Sequence, residues 1–230
     1  MASRYGQLAH WEQAARLLAV AVAADPENYS HGFQLAPVLL QLEDSGGYRE
    51  LCREMLDQFA ESTDMSPQIF SVWPCLWEAG TLDNYDRVLA RLQAIVEHPN
   101  LSVSWLPRCQ AALGIAYFRS GDCPAAIQWI EKGLASEQME SRFEVRSLAV
   151  LAMAYHAGDV PKAEQILQTA RDRFTEVAPK PGVQGLRDSW PDLLDSLICD
   201  LLLAEAETRF AGKKQGEDKE GKKTRQTHPQ

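Results

Sequence analysis

The chain has 230 residues, with 23 Lys and Arg against 32 Asp and Glu, and its formal net charge is -9. Residues 212–230 hold six Lys and Arg against three Asp and Glu, so this end carries +3 and the rest of the chain carries -12. Nucleic-acid binding depends on Lys and Arg that neutralise phosphates, and the acidic body therefore argues against a nucleic-acid partner.

The apolar runs and the cysteines point to a cytoplasmic protein. The longest apolar run, 17–24, is much shorter than the ~20 residues that span a bilayer. No basic segment followed by an apolar one opens the chain, so we expect neither a signal peptide nor a membrane span. Cysteine occurs at positions 52, 75, 109, 123 and 199 without any CxxC pair. We therefore expect reduced, packed thiols.

The first predicted element is a helix over 11–24, which ends before Pro26 because proline cannot continue a helix. Residues 1–8 are too few for a complete helix ahead of it. We therefore predict that 1–26 is a partial hairpin, consisting mainly of its second helix. Three explanations remain open: the sequence is a piece of a longer helical array, its start codon is assigned too late, or a single helix caps the array.

Two hairpins of divergent sequence are predicted over 27–100. Their helices show apolar residues at helical spacing. The predicted helices cover 29–42, 48–59, 66–79 and 83–97. Pro37 lies inside the first of these and is expected either to kink it or to mark its true start.

An internal repeat follows. GDCPAAIQ at 121–128 returns as GDVPKAEQ at 158–165, and an apolar run that ends in Tyr precedes each copy, at 113–117 and at 151–155. A period in the 30s, with a Gly turn between two apolar helical runs, is typical of stacked helical hairpins. We therefore predict two well-matched hairpins over 101–177.

Local signals inside the repeats predict how each hairpin is built. Asp122 and Asp159 each follow Gly and precede Pro by two residues, so both are predicted N-caps, worth ~1 kcal/mol each. Small residues are expected to let the paired helices approach closely. They are Gly114, Ala126, Ala152 and Ala163. One residue fewer separates Tyr155 from Ala163 than separates the equivalent pair in the first copy, so the second turn is predicted to be tighter.

The C-terminal part is predicted to contain a linker, a helix and a tail. Two prolines and two glycines mark a linker around 178–187, and Asp188 or Ser189 would cap a helix over 188–211. Its broad apolar stripe would cover the exposed end of the array. The tail, 212–230, lacks apolar residues and is expected to be disordered. Its basic residues would contact an acidic partner or membrane surface, or would simply be solvated.

The repeats resemble tetratricopeptide (TPR) repeats, whose pattern is W-x2-L-G-x2-Y…A-x3-F…P. The matching residues are Leu113, Gly114, Tyr117, Ala126 and Ile130 in the first copy, and Leu151, Ala152, Tyr155, Ala163 and Leu167 in the second. A partial third match covers Ala14, Leu18, Ala21 and Pro26. The resemblance implies an all-α, right-handed α-solenoid of antiparallel hairpins. It also implies a non-enzymatic scaffold that binds a protein or peptide in its concave groove.

Two further segments are similar to the TPR regions that follow the catalytic domain of large bacterial Ser/Thr protein kinases. They are YRELCREMLDQF at 48–59, and SWPDLL at 189–194 leading to LLAEAE at 202–207. This resemblance implies an alternative function, a non-catalytic regulatory or assembly fragment of such a kinase. The chain lacks the Gly-rich loop, VAIK-like lysine, HRD and DFG motifs, so we expect no kinase activity.

In a TPR hairpin the first helix lines the groove, so the resemblance implies partner-binding residues on that face. They are Arg108, Ile115, Phe118, Arg119, Arg146, Met153 and His156. Apolar side chains beside arginines suit an extended or helical peptide with apolar anchors and some acidic residues. The alternative is that Phe118 and Met153 pack between adjacent repeats.

No sequence motif predicts a catalytic, phosphate-binding or metal-binding site. The five histidines form no HExxH pair, the segment 182–185 has too few glycines to hold a phosphate, and no Ser or Cys lies in a nucleophile elbow. We therefore predict no catalytic, cofactor-binding or metal-binding residues and no cofactor. The oligomeric state is not predicted.

Overall fold

The computed structural model describes residues 2–178 and 190–224, and the side chains of 10–178 and 192–211. These residues form ten α-helices and one short 3-10 helix, with no strand among them. The α-helices are α1 (Ala2–Ala24), α2 (Tyr29–Gln41), α3 (Ser45–Gln58), α4 (Met65–Val72), α5 (Asp86–Val96), α6 (Leu106–Ser120), α7 (Cys123–Leu134), α8 (Ser141–Tyr155), α9 (Val160–Val177) and α10 (Trp190–Thr224). The prediction of an all-α fold is confirmed.

The helices up to α9 pack mainly on their neighbours in the chain. α1 packs on α2, and the next helices pair as α2 with α3, α4 with α5, α6 with α7 and α8 with α9. Successive pairs meet through α5 with α6 and α7 with α8. Each helix therefore buries its apolar face mostly on the helices before and after it.

The local signals of the repeats act as predicted at the N-caps. The carboxylate of Asp122 accepts a hydrogen bond from the backbone N–H of Ala125 at 3.0 Å, and that of Asp159 accepts one from Lys162 at 3.1 Å. Both bonds satisfy an N–H group at a helix start that has no partner within its helix. Both predicted caps are confirmed.

The predicted tighter turn in the second repeat is wrong. α6 ends at Ser120 and is capped by Gly121, whose φ of +94° is a left-handed conformation that glycine adopts without steric cost. α8 ends earlier, at Tyr155, and its connection runs from 156 to 159. Both helices have 15 residues, but α8 ends at the tyrosine of its repeat, whereas α6 continues three residues past Tyr117. The second connection is therefore longer than the first, not tighter.

Helices α6 and α7 approach closely where the sequence has small residues. A Cβ on Gly114 would lie 2.8 Å from the backbone N of Ile130 and 2.9 Å from the carbonyl O of Ala126. No real side chain tolerates such distances, so this crossing requires glycine.

Two prolines in the N-terminal half affect the helix bounds differently from what was predicted. The helix predicted over 66–79 ends at Val72 and is followed by a 3-10 turn, Pro74–Leu76, because Pro74 cannot donate a helical hydrogen bond. Pro37 lies inside α2 and does not mark its start.

The two ends of the chain also differ from the prediction. α1 is continuous from Ala2, so the residues before 11 extend it. The backbone of α10 continues to Thr224, through most of the tail predicted to be disordered. Lys, Glu and Gln favour helix when a helix already precedes them. The predicted linker and the capping residues Asp188 and Ser189 fall largely outside the described residues, which omit 179–189.

α10 contacts helices that are far from it in sequence as well as its neighbours. It packs against α8 and α9, and also against α2. Its buried apolar side chains are Leu194, Ile198, Cys199, Leu202, Leu203, Ala206 and Phe210. α10 therefore joins the two halves of the chain, and does more than cover the last pair.

Candidate partner-binding face

The structure places most of the predicted partner-binding residues beneath other side chains. Ile115, Phe118, Arg146 and Met153 are buried, and the side chain of Arg119 is only 2% exposed. Arg108 and His156 are half-buried. The expectation of an open face at these residues is therefore corrected: α10 covers a large part of it.

Arg119 fastens α10 to α6. Its Nη1 and Nη2 donate to the two carboxylate oxygens of Glu205, at 2.7 Å each. Its Nε and Nη2 also donate to the carbonyls of Leu76 at 2.9 Å and Trp77 at 3.3 Å. A two-point arginine–carboxylate pair fixes orientation as well as charge.

Two arginines of α8 hold the beginning of α10 in the same way. Arg142 pairs with Asp192, and Arg146 pairs with Asp195. Burial alone would lower the pKa of Arg146, but the carboxylate of Asp195 outweighs it and holds that pKa above its ordinary value. The buried arginine is therefore charged and compensated.

Cation–π, ring-stacking and apolar contacts complete the attachment of α10. The guanidinium of Arg209 lies 5.0 Å from the ring centroid of Phe118, and the rings of His156 and Phe210 stack at 4.1 Å. Fully burying a large apolar side chain contributes about 1.5–3 kcal/mol. With several such side chains on α10, a partner would have to replace on the order of 10 kcal/mol of burial to displace the helix. α10 is therefore part of the fold.

Arg108 differs from these arginines in that it pairs with none of the α10 side chains that the structure describes, 192–211. Its guanidinium carbon lies 5.1 Å from the ring centroid of Trp105 and 5.7 Å from that of Phe143. It makes no hydrogen bond or ion pair with the described residues, and its Nε is buried without an acceptor. The Nε1 of Trp73, a residue 3% exposed, also lacks an acceptor.

Trp73 belongs to the same group of rings. Its centroid lies 5.6 Å from that of Trp105 and 4.6 Å from that of Phe143, while Phe70 lies 5.7 Å from Trp105. We call Phe70, Trp73, Trp105, Arg108 and Phe143 the Arg108 patch. Phe70, Trp105 and Phe143 are only half-buried, so the patch reaches the surface.

Sequence reasoning missed the rings of this patch and the acids of α10. The spacing of Trp105 and Arg108, one helical turn apart, is a signal that was present. Phe70 and Phe143 come from other helices, and no local pattern connects them. The acids of α10 that face the arginines could have been found by their helical spacing, with Asp192 and Asp195 three residues apart.

The described residues offer little for other chemistry. They contain no group of three or more His, Cys, Asp or Glu that could hold a metal ion. No helix in the described part of the chain has both the length and the apolar content to cross a membrane.

Comparison with known proteins finds no matching family model, no matching curated protein and no matching solved structure.

Proposed function

We propose that the chain is a non-enzymatic protein-binding scaffold, and that the Arg108 patch binds an acidic side chain of a protein or peptide partner. The observation that supports this is that Arg108 forms no ion pair or hydrogen bond with any residue that the structure describes. Arg119, Arg142 and Arg146 each hold a carboxylate of α10. The guanidinium of Arg108 instead lies over two rings and has no carboxylate beside it among the described residues.

The donors of the patch define the chemistry of the ligand. A buried donor without an acceptor costs about 1–3 kcal/mol, so native proteins rarely leave one unless water or a ligand completes it. The Nε of Arg108 and the Nε1 of Trp73 both lack an acceptor among the described residues. The Nε of Arg142 and that of Arg146 lack one too, but those two guanidinium groups already hold a carboxylate through other nitrogens. A carboxylate would supply it, and the surrounding rings would bind an adjacent apolar or aromatic side chain.

The proposal includes the architecture that the TPR resemblance implies. We propose that the successive helix pairs form a right-handed solenoid, with α2, α4, α6 and α8 on its inner side. The packing of each pair on the next supports this arrangement. In this arrangement α10 occupies part of the inner face, and the Arg108 patch is the part left for a partner.

Paired baits test the function. Wild-type chain and the variant Arg108→Glu are used to capture proteins from the native lysate, and the captured proteins are quantified by mass spectrometry. The control is Arg53→Glu, which makes the same charge change at an exposed arginine of α3. We expect a partner that Arg108→Glu loses and the control retains, with unchanged circular dichroism in all three proteins. Identical capture by all three would reject the proposal.

The similarity of 48–59 and 189–207 to kinase-associated TPR regions supports a second proposal, a regulatory or assembly role beside a bacterial Ser/Thr kinase in the cytoplasm. These segments correspond to most of α3 and to the first half of α10. The DNA upstream of the first codon tests it: an in-frame kinase domain would support this role, and an unrelated gene there would count against it.

A further inference from the structure

A large open cavity lies between α1, α2 and α3. It meets the Arg108 patch at one edge, where the ring of Tyr29 in its lining stacks on Phe70 at 5.2 Å. Its volume is about 1040 Å³. Its apolar lining includes Val22, Leu35, Leu39, Leu51, Met55 and Phe59. This volume is at the upper end of the roughly 300–1,000 Å³ typical of ligand sites, and is large enough for several side chains of a partner.

The charge around this cavity has one sign. Glu50, Glu54 and Asp57 line it, and no Lys or Arg is among the lining residues of the described chain. Asp57 pairs with Arg87 at 2.7 Å, but Glu50 and Glu54 have no hydrogen bond or ion pair with any residue that the structure describes. Both are exposed.

The spacing of these two glutamates is unfavourable for the isolated chain. They lie four residues apart on α3, where like charges destabilise a helix by about 0.2–0.5 kcal/mol. A cation placed beside each glutamate would replace this repulsion with attraction. The cavity therefore combines an apolar floor with two carboxylates that form no ion pair within the described part of the chain.

We propose that this cavity docks an amphipathic helix of another protein that carries Lys or Arg at i and i+4 beside apolar residues. Basic residues one turn apart on the partner match the spacing of Glu50 and Glu54. The apolar residues of the partner would enter between α1 and α3. Met55, an unbranched and flexible side chain in the lining, can adapt to their shape.

The site is independent of the proposed function, since the two sites select ligands of opposite charge. Arg108 requires an acid, whereas Glu50 and Glu54 require a base. A partner with both features would engage both sites, but either site can fail without the other.

Fluorescence anisotropy of the full chain tests the proposal at physiological salt. The probe is a fluorescein-labelled peptide of Leu and Lys, about four helical turns long with leucine on one face. We expect micromolar binding, which the double variant Glu50→Lys/Glu54→Lys weakens by at least about tenfold. Ala23→Trp fills the cavity from its α1 wall without changing the charge and should weaken binding similarly.

Two controls separate docking from general attraction to an acidic protein. Asp83→Lys/Glu97→Lys makes the same charge change at two exposed acids outside the cavity and should bind the peptide like the wild type. A matched peptide with Glu in place of Lys should not bind. Equal loss in both double variants, unchanged binding in Ala23→Trp, or binding of the Glu peptide would each overturn the proposal. Arg108→Glu should leave binding of the Lys peptide unchanged, so the two sites are tested separately.

Discussion

Arg119 and Glu205, 86 residues apart in the sequence, form a two-point ion pair in which both hydrogen bonds are 2.7 Å long. The arginine side chain is 2% exposed and that of the glutamate is 20% exposed. Arg119 also donates to two carbonyls after α4, so one guanidinium connects α6, α10 and the 3-10 turn. This pair is the clearest sign that α10 belongs inside the fold.

Removing the carboxylate of this pair should strongly destabilise the protein. Glu205→Ala leaves a buried guanidinium without its counter-charge, and breaking a buried pair in this way costs about 3–5 kcal/mol. Urea denaturation followed by circular dichroism measures the loss. The matched control is Glu207→Ala on the same helix, whose pair with Arg171 is about half exposed, and it should cost less than ~1 kcal/mol. Similar small losses in both variants would contradict a buried role for Glu205.

The same pair should make stability depend on pH in the acid range. Burial tends to raise the pKa of Glu205, but the hydrogen bonds and charge of Arg119 outweigh it and hold that pKa below its ordinary value. Because the folded pKa is lowered, the carboxylate stabilises the fold above its unfolded pKa, and this contribution is lost as the pH falls through the folded value. The difference in free energy of unfolding between wild type and Glu205→Gln should therefore shrink below about pH 4.3. A difference that stays constant down to acid denaturation would refute this assignment.

The sequence alone was sufficient to predict helices α6 to α9 and their pairing, because the signals that define them are local. The repeated Gly-Asp turn, the caps at Asp122 and Asp159 and the small residue at Gly114 all act within one helix pair. The position of α10 was not predictable in this way. Its apolar stripe indicates that one face is buried, but the pattern does not say against which helices.

Complementary charges would have helped to place α10. Three arginines on the predicted partner-binding helices meet three acids of α10, and the predicted ligand, a helix with apolar anchors and acidic residues, describes this segment. The chemistry inferred for the ligand therefore matches a segment of the chain itself. Pro74 was a missed local signal, since proline inside a predicted helix indicates a break.

Substitutions of glycine should separate close helix packing from general helix stability. Gly114→Ala adds a Cβ within 3 Å of the backbone of α7, and forcing extra volume into a packed crossing costs about 1–3 kcal/mol. Gly158→Ala is the control, because nothing lies within 4 Å of a Cβ at that position. Thermal unfolding should show a clearly lower Tm for the first variant and little change for the second. Equal Tm values would mean that α6 and α7 are not in close contact at Gly114.

The five cysteines should differ sharply in reactivity in the folded protein. Burial raises the pKa of Cys109 to about 12 and raises those of Cys52 and Cys199, so these thiols cannot form the reactive thiolate near neutral pH. Cys75 is fully buried, and only Cys123, at the start of α7, is partly exposed.

Titration with Ellman's reagent at about pH 8, below the ordinary thiol pKa, measures this difference. We expect one fast-reacting thiol in the native protein and five after denaturation in guanidinium chloride. Cys123→Ser should remove the fast phase, whereas Cys109→Ser should retain it. Because a reagent reaches a buried thiol only through opening of the fold, the slow phase in Cys123→Ser also reports local unfolding. Glu205→Ala should accelerate the reaction of Cys199 if Glu205 holds α10 in place, and an unchanged rate would mean that the helix stays docked without this ion pair.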